Sequence, residues 1–175
     1  MGSEMCIRDR YEDFTLNGNS KVKPNLWTFN TVLAAWSKSS KSSAVESAEA
    51  LLRQMIDLNK QGILDSRPDT ISYNCLLHTL ARRRKTYTEA SQKAESLVQE
   101  MLDNSNASKD DSVLPNEITY TALFKIFAAC DSIDKQEKAK FWVEKIHDKR
   151  ILNDSFVRDQ LKQLGWTHIQ NSNII

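Results

Sequence analysis

Glycine and proline are scarce in this chain, with four of one and three of the other among 175 residues. So few glycines leave no Gly-rich loop of the kind that cradles phosphates. Cysteine is sparse as well. Cys6, Cys75 and Cys130 are odd in number and far apart, with no CxxC pair and no two pairs at metal spacing that could combine. Cys75 and His78 stand three apart, but two ligands make no zinc site, and a packed thiol is the simpler reading. Reduced, intracellular cysteines are expected. No apolar run approaches the length that spans a bilayer, so no membrane partner is expected. Charge of one sign is lacking too. Lys+Arg 24 against Asp+Glu 23 gives a net charge of +1, which does not announce a polyanion-binding protein. Catalytic signatures are missing: Asp110 and Asp111 fall in a polar loop, and His78, His147 and His168 have no Ser or Cys partner in a recognisable motif. No catalysis, cofactor, metal or small-molecule substrate is expected.

What is there is a phrase written three times, at Lys23-Pro24-Asn25-Leu26-Trp27-Thr28-Phe29-Asn30, Arg67-Pro68-Asp69-Thr70-Ile71-Ser72-Tyr73-Asn74 and Leu114-Pro115-Asn116-Glu117-Ile118-Thr119-Tyr120-Thr121. A spacing of roughly 45 residues marks a repeat array. After each phrase the apolar residues fall at i, i+3, i+4, i+7, the spacing of one helical face. The first unit carries Phe29, Val32, Leu33 and Trp36, then Ala48, Leu51, Leu52 and Met55. The second carries Tyr73, Leu76, Leu77 and Leu80, then Ala94, Leu97, Val98 and Met101. The third carries Tyr120, Leu123, Phe124 and Phe127, then Ala139, Trp142, Val143 and Ile146. Each helix pair has one buried seam of its own, so neighbouring pairs must stack to cover the rest. The expected fold is all-α, a solenoid of stacked antiparallel helix pairs. The run from Ser37 to Ser43 reads as a polar connection within a pair, residues 102–114 as a flexible insertion on one edge, and 59–66 as a shorter version of it. Arg82-Arg83-Arg84-Lys85 suits the negative end of a helix.

The expected domain limits follow. Residues 1–23 hold a start that does not look native and the remnant of an upstream repeat; residues 24–165 form the repeat domain. Its units run 26–69, 70–116 and 117–154, with a capping helix at 155–165, and 166–175 form a loosely held tail. The chain reads as a fragment or a short member of its class.

The phrase, its place opening a first helix, and the Ala-x-x-φ-φ-x-x-φ pattern of the second helix resemble pentatricopeptide repeats, over roughly residues 24–165. These units are longer than the family's standard one, the excess falling in the turn and the trailing loop. The resemblance implies a right-handed superhelix that binds single-stranded RNA, one base per repeat read by two or three side chains. It implies work in organellar RNA processing, stability or translation, in a mitochondrion or chloroplast, with protein partners reached through regions missing here.

By that resemblance, two positions per unit read the base. The first pair is Asn30 with Asp69, which the family uses for uracil. The second is Asn74 with Asn116, implying a pyrimidine with cytosine favoured. The third is Thr121 with Asp154, implying guanine, although Asn153 stands where proline is expected. Short amide, hydroxyl and carboxylate groups can meet a base's pairing edge without blocking its approach. Trp27, Ile71, Ile118 and Phe156 occupy the place of a wedge against base faces, and packing between repeats is an equal claim on them. Lys38 and Arg82 fall at matching places for phosphate contact, where the third unit has Ala129. Asn25, Asp69 and Asn116 also stand where any protein caps a helix. The rival reading is a protein-binding scaffold of the tetratricopeptide type, whose repeat is about 34 residues with Gly and Tyr in its first helix; no first helix here has that glycine.

Overall fold

The computed structural model describes residues 23, 25–65, 67–83, 89–109, 111–130 and 134–166. Among the described residues there are eight α-helices, one short 3₁₀ turn and no strand, so the fold is all-α. The chain divides between Thr79 and Leu80 into two compact units.

The first unit opens with α1, Leu26–Lys38. Asn25 sits before it in extended conformation, and its Oδ1 accepts from both the backbone N–H and the hydroxyl of Thr28, each at 2.9 Å. That satisfies one of the four amide groups a helix start leaves without an internal partner. The buried face of α1 is Phe29, Val32, Leu33 and Trp36. It packs on α2, Ala44–Lys60, which buries Ala44, Val45, Ala48, Leu51, Leu52, Met55 and Leu58. Each fully buried Phe, Leu or Met here contributes about 1.5–3 kcal/mol relative to exposure.

At the end of α2 the chain turns in a Schellman arrangement. The N–H of Gly62 donates to Asn59 O and that of Ile63 to Leu58 O, both at 2.9 Å, and Gly62 takes φ +71°. A left-handed residue is needed at this point, and glycine occupies it without a Cβ penalty. The joint that follows is not wholly solvated: Leu64 is buried, and its carbonyl accepts from Asn59 Nδ2 at 2.9 Å. The next helix, α3, spans Thr70–Arg83, so its last turn lies beyond the division. Arg82 and Arg83 occupy that last turn; Arg84 and Lys85 are outside the described residues.

The second unit is organised around α5, Glu117–Ala129, which buries Thr119, Tyr120, Ala122, Leu123, Phe124, Ile126 and Phe127. So wide an apolar face belongs to a helix covered on several sides. It contacts α4 (Ala90–Ser108), α6 (Lys135–Glu144), α7 (Lys149–Asn153) and α8 (Ser155–Gln163). Its rings run Tyr120, Phe124, Phe127 at centroid separations of 6.2 and 6.3 Å, in the favourable range for aromatic pairs. Lys138 of α6 reaches α4, with its ammonium 3.2 Å from Glu95, and Lys145 donates to Gln99 at 2.7 Å.

Two expectations are corrected here. Residues 102–108, expected in a flexible insertion, continue α4. Ser105 is buried one turn after Met101, so the covered stripe persists although the composition turns polar. The helix stops where Lys109 takes φ +51°, and the 3₁₀ turn Asp111–Val113 packs the buried Val113 against α4. In the third repeat, α6 ends at Glu144 while Ile146 is buried beyond it, and an additional helix, α7, precedes Asp154. In the stretch 155–165, a helix, α8, spans Ser155–Gln163, and Gly165 follows it at φ +89°. Of the expected tail, the Trp166 N–H donates to Leu161 O at 3.0 Å, and residues 167–175 lie outside the described residues.

Candidate nucleic-acid interface

The best-defined constellation lies in the first unit and joins the middle of α1 to the start of α3. Asp69 caps α3: its Oδ1 accepts from the Ser72 N–H at 2.9 Å. The same Oδ1 accepts from Asn30 Nδ2 at 3.1 Å, so the two residues expected to read one base are in direct contact across 39 positions of sequence. Asn30 projects here because it follows Phe29, whose burial fixes the rotation of α1. Ser72, fully buried, completes the cluster, its hydroxyl 2.6 Å from Asn30 Oδ1 and 2.9 Å from Asp69 Oδ1. Sequence reasoning passed over Ser72. The available signal was its place in the phrase, where the other copies also carry a hydroxyl, at Thr28 and Thr119.

The cluster affects its neighbours electrostatically. Cys75, half-buried one turn along α3, has its thiol pushed up from 9.0 to about 11, first by burial and then by the Asp69 carboxylate, with Lys38 opposing. An acid beside a carboxylate resists losing its proton. Lys38 itself is exposed in the last turn of α1, as is Arg82 in the last turn of α3.

The other expected readers differ. Asn74 is only 7% exposed, because it lies beside the buried stripe of α3. It belongs to the first unit and Asn116 to the second. Asn116 forms a capping box with Thr119: its Oδ1 accepts from the Thr119 N–H at 3.2 Å and hydroxyl at 3.1 Å, while Asn116 N–H donates to that hydroxyl at 3.1 Å. Thr121 is half-exposed on α5. Asp154 caps α8 through the N–H groups of Phe156 at 2.9 Å and Val157 at 3.1 Å. No hydrogen bond between described residues joins Thr121 to Asp154, and Val157 stands where the other copies have Ser or Thr.

The four residues expected to wedge against bases are exposed, Trp27 at 75%, Ile71 at 59%, Ile118 at 46% and Phe156 at 69%. Each is the second residue of its helix, one step off the buried stripe. They bury little against the protein. Among the described residues no group of three or more His, Cys, Asp or Glu side chains is placed to hold a metal, and no helix is long and apolar enough to cross a membrane. Comparison with models of protein families, with curated proteins and with solved structures returns no match.

Proposed function

We propose that this chain is a pentatricopeptide-type solenoid of stacked antiparallel hairpins that binds single-stranded RNA, reading one base per repeat. The observation that carries the reading is the contact between Asn30 and Asp69, flanked by the exposed Trp27 and Ile71. An amide and a carboxylate held together offer a donor and an acceptor side by side. Uracil's pairing edge presents an N–H between two carbonyl oxygens, which such a pair can meet. Cytosine presents a ring nitrogen acceptor where uracil has that N–H, and a carboxylate facing it is repelled.

The preference is 5′-U-(C/U)-G-3′, with the amino-terminal repeat at the 5′ end as the resemblance implies. Asn74, being buried, offers less of its amide than Asn30, so the second position discriminates less. Trp27, Ile71, Ile118 and Phe156 stack on bases, and Lys38 and Arg82 meet phosphates. With so few phosphate contacts the affinity is weak, about micromolar or poorer at physiological salt. Residence in a mitochondrion or chloroplast is part of the same proposal.

The test is a gel-shift titration against short single strands carrying UCG, UUG or only adenine. The triplet strands bind more tightly; equal affinity for all, or none for any, overturns the proposal. In the Asn30→Thr, Asp69→Asn double variant the preference moves toward adenine at the first base alone.

A further inference from the structure

Ser72 lies outside the two positions expected to read the first base, yet it supplies the second bond that holds one of them. The carboxylate of Asp69 can only accept, so the amide of Asn30 must turn Nδ2 toward it; the reverse orientation would set two oxygens against each other. Asn30 Oδ1 is thereby directed at the Ser72 hydroxyl, 2.6 Å away. That hydroxyl has one proton. Asp69 Oδ1, 2.9 Å away, already accepts from the Ser72 N–H and from Asn30 Nδ2, so the proton goes to the shorter contact with Asn30. The Asp69 N–H, 3.2 Å from Ser72 Oγ, donates to the hydroxyl from the other side and favours the same direction.

We propose that Ser72 is a positioning residue for base recognition, fixing the Asn30 amide so that one Nδ2 proton and Asp69 Oδ2 face the ligand as a donor–acceptor pair. This rests on the RNA-reading function. Asp69 Oδ2 has no hydrogen-bond partner among the described residues, and one proton of Asn30 Nδ2 remains after its bond to Asp69. Without the hydroxyl, Asn30 Oδ1 loses its donor and the amide is held by its single bond to Asp69, about which it can swing, so the edge is presented to the base less sharply. The matching hydroxyls of Thr28 and Thr119 also bond to the capping residues beside them, Asn25 at 2.9 Å and Asn116 at 3.1 Å.

The experiment uses the full chain with Ser72→Ala and Ser72→Thr, the second being tolerated at this place in the other copies. Two readouts are taken: the ratio of affinities for strands with U or C at the first base, with the same ratio at the second base as control, and the side-chain amide proton resonances of Asn30 without RNA. Ser72→Ala is expected to reduce first-base discrimination by about tenfold, the consequence of one lost hydrogen bond, leaving the second-base ratio unchanged. It also accelerates exchange of the Asn30 amide protons, and Ser72→Thr restores both. An equal loss of affinity for every strand, or an Asn30 amide as protected in Ser72→Ala as in the parent, overturns the assignment. A parent chain that shows the protected amide but no first-base preference overturns the RNA-reading function, and with it the role of Ser72 in recognition.

Discussion

The contact between Asn30 and Asp69 makes a prediction that needs no RNA. Asp69→Ala removes the cap of α3, which costs about 1 kcal/mol for an Asp at such a site. It also removes the acceptor of Asn30 Nδ2, and a half-buried bond to a charged oxygen adds about 1–1.5 kcal/mol. The sum is a destabilisation of about 2 kcal/mol. Asn30→Ala loses the second part only, with a further small loss because the Ser72 hydroxyl is left facing a cavity. The double variant should therefore be more stable than the two single effects predict, with a coupling of about 1 kcal/mol. Asp69→Asn keeps a capping oxygen and should fall between parent and Asp69→Ala. Urea unfolding followed by far-ultraviolet circular dichroism, with slopes compared across the variants, measures all four. A coupling below about 0.3 kcal/mol, the ordinary scatter of additivity, would show that the two side chains do not meet in solution, and the carrying observation for RNA reading would fall with it.

Three other outcomes follow from the geometry. Trp27→Ala, at a side chain 75% exposed, should leave stability within about 0.5 kcal/mol of the parent while lowering RNA affinity roughly fivefold or more through loss of stacking; a large loss of stability in thermal unfolding would mean that the indole packs against the protein. Gly62→Ala should cost about 1 kcal/mol by forcing a side chain into the left-handed region, although no atom lies within 4 Å of the added methyl, and Gly62→Asn should cost less in the same melts. The Cys75 thiol, raised from 9.0 to about 11 when folded, ionises first in the unfolded chain, so its contribution to stability is present below pH 9 and is lost as pH rises from 9 toward 11. At pH 8 the folded chain holds about a hundredfold less Cys75 thiolate than the unfolded chain, and iodoacetamide labelling read by peptide mass should be slowed accordingly, less so in Asp69→Asn; labelling at equal rates folded and unfolded would refute it.

Helical periodicity exposes some decisions and hides others. All twenty-four residues of the six expected stripes are buried, from Phe29 through Ile146, because a face that must be covered has to be apolar at every turn. The end of α4 was hidden for the converse reason. Past Met101 the helix presents Asp103, Asn104, Asn106 and Ala107 to solvent and buries Ser105, and a polar sequence in a helix looks like a polar sequence in a loop. The five-residue α7 is too short to show a period, although Asp148 before it is a capping residue, held to the Arg150 N–H at 2.9 Å. Asn30 and Asp69 could be named from the phrase, but their union through Ser72 depends on how α1 meets the start of α3, a tertiary fact that no local pattern encodes. Asn74 shows the limit of register: it occupies the same place in its helix as the half-exposed Asn30 and Thr121, yet its surroundings cover it.

The off-stripe apolar residues carry the remaining weight. An exposed Leu or Ile needs no explanation by itself, and Leu114, at 38%, is such a case. Phe141 is half-exposed but its ring is covered by the Lys145 ammonium, 4.5 Å from the centroid. Trp27, Ile71, Ile118 and Phe156 are different, because they are one position written four times. Burying each would contribute about 1.5–3 kcal/mol, and a polar residue there would be solvated at no cost, so neither folding nor solubility accounts for the recurrence. A ligand with apolar faces, such as a strand of unpaired bases, would account for it, and this recurrence is the ground on which RNA reading is proposed over the scaffold. It also sets an order on the wedges: Trp27, the largest ring and the most exposed, should matter most to binding, and Ile118, the least exposed, should matter least.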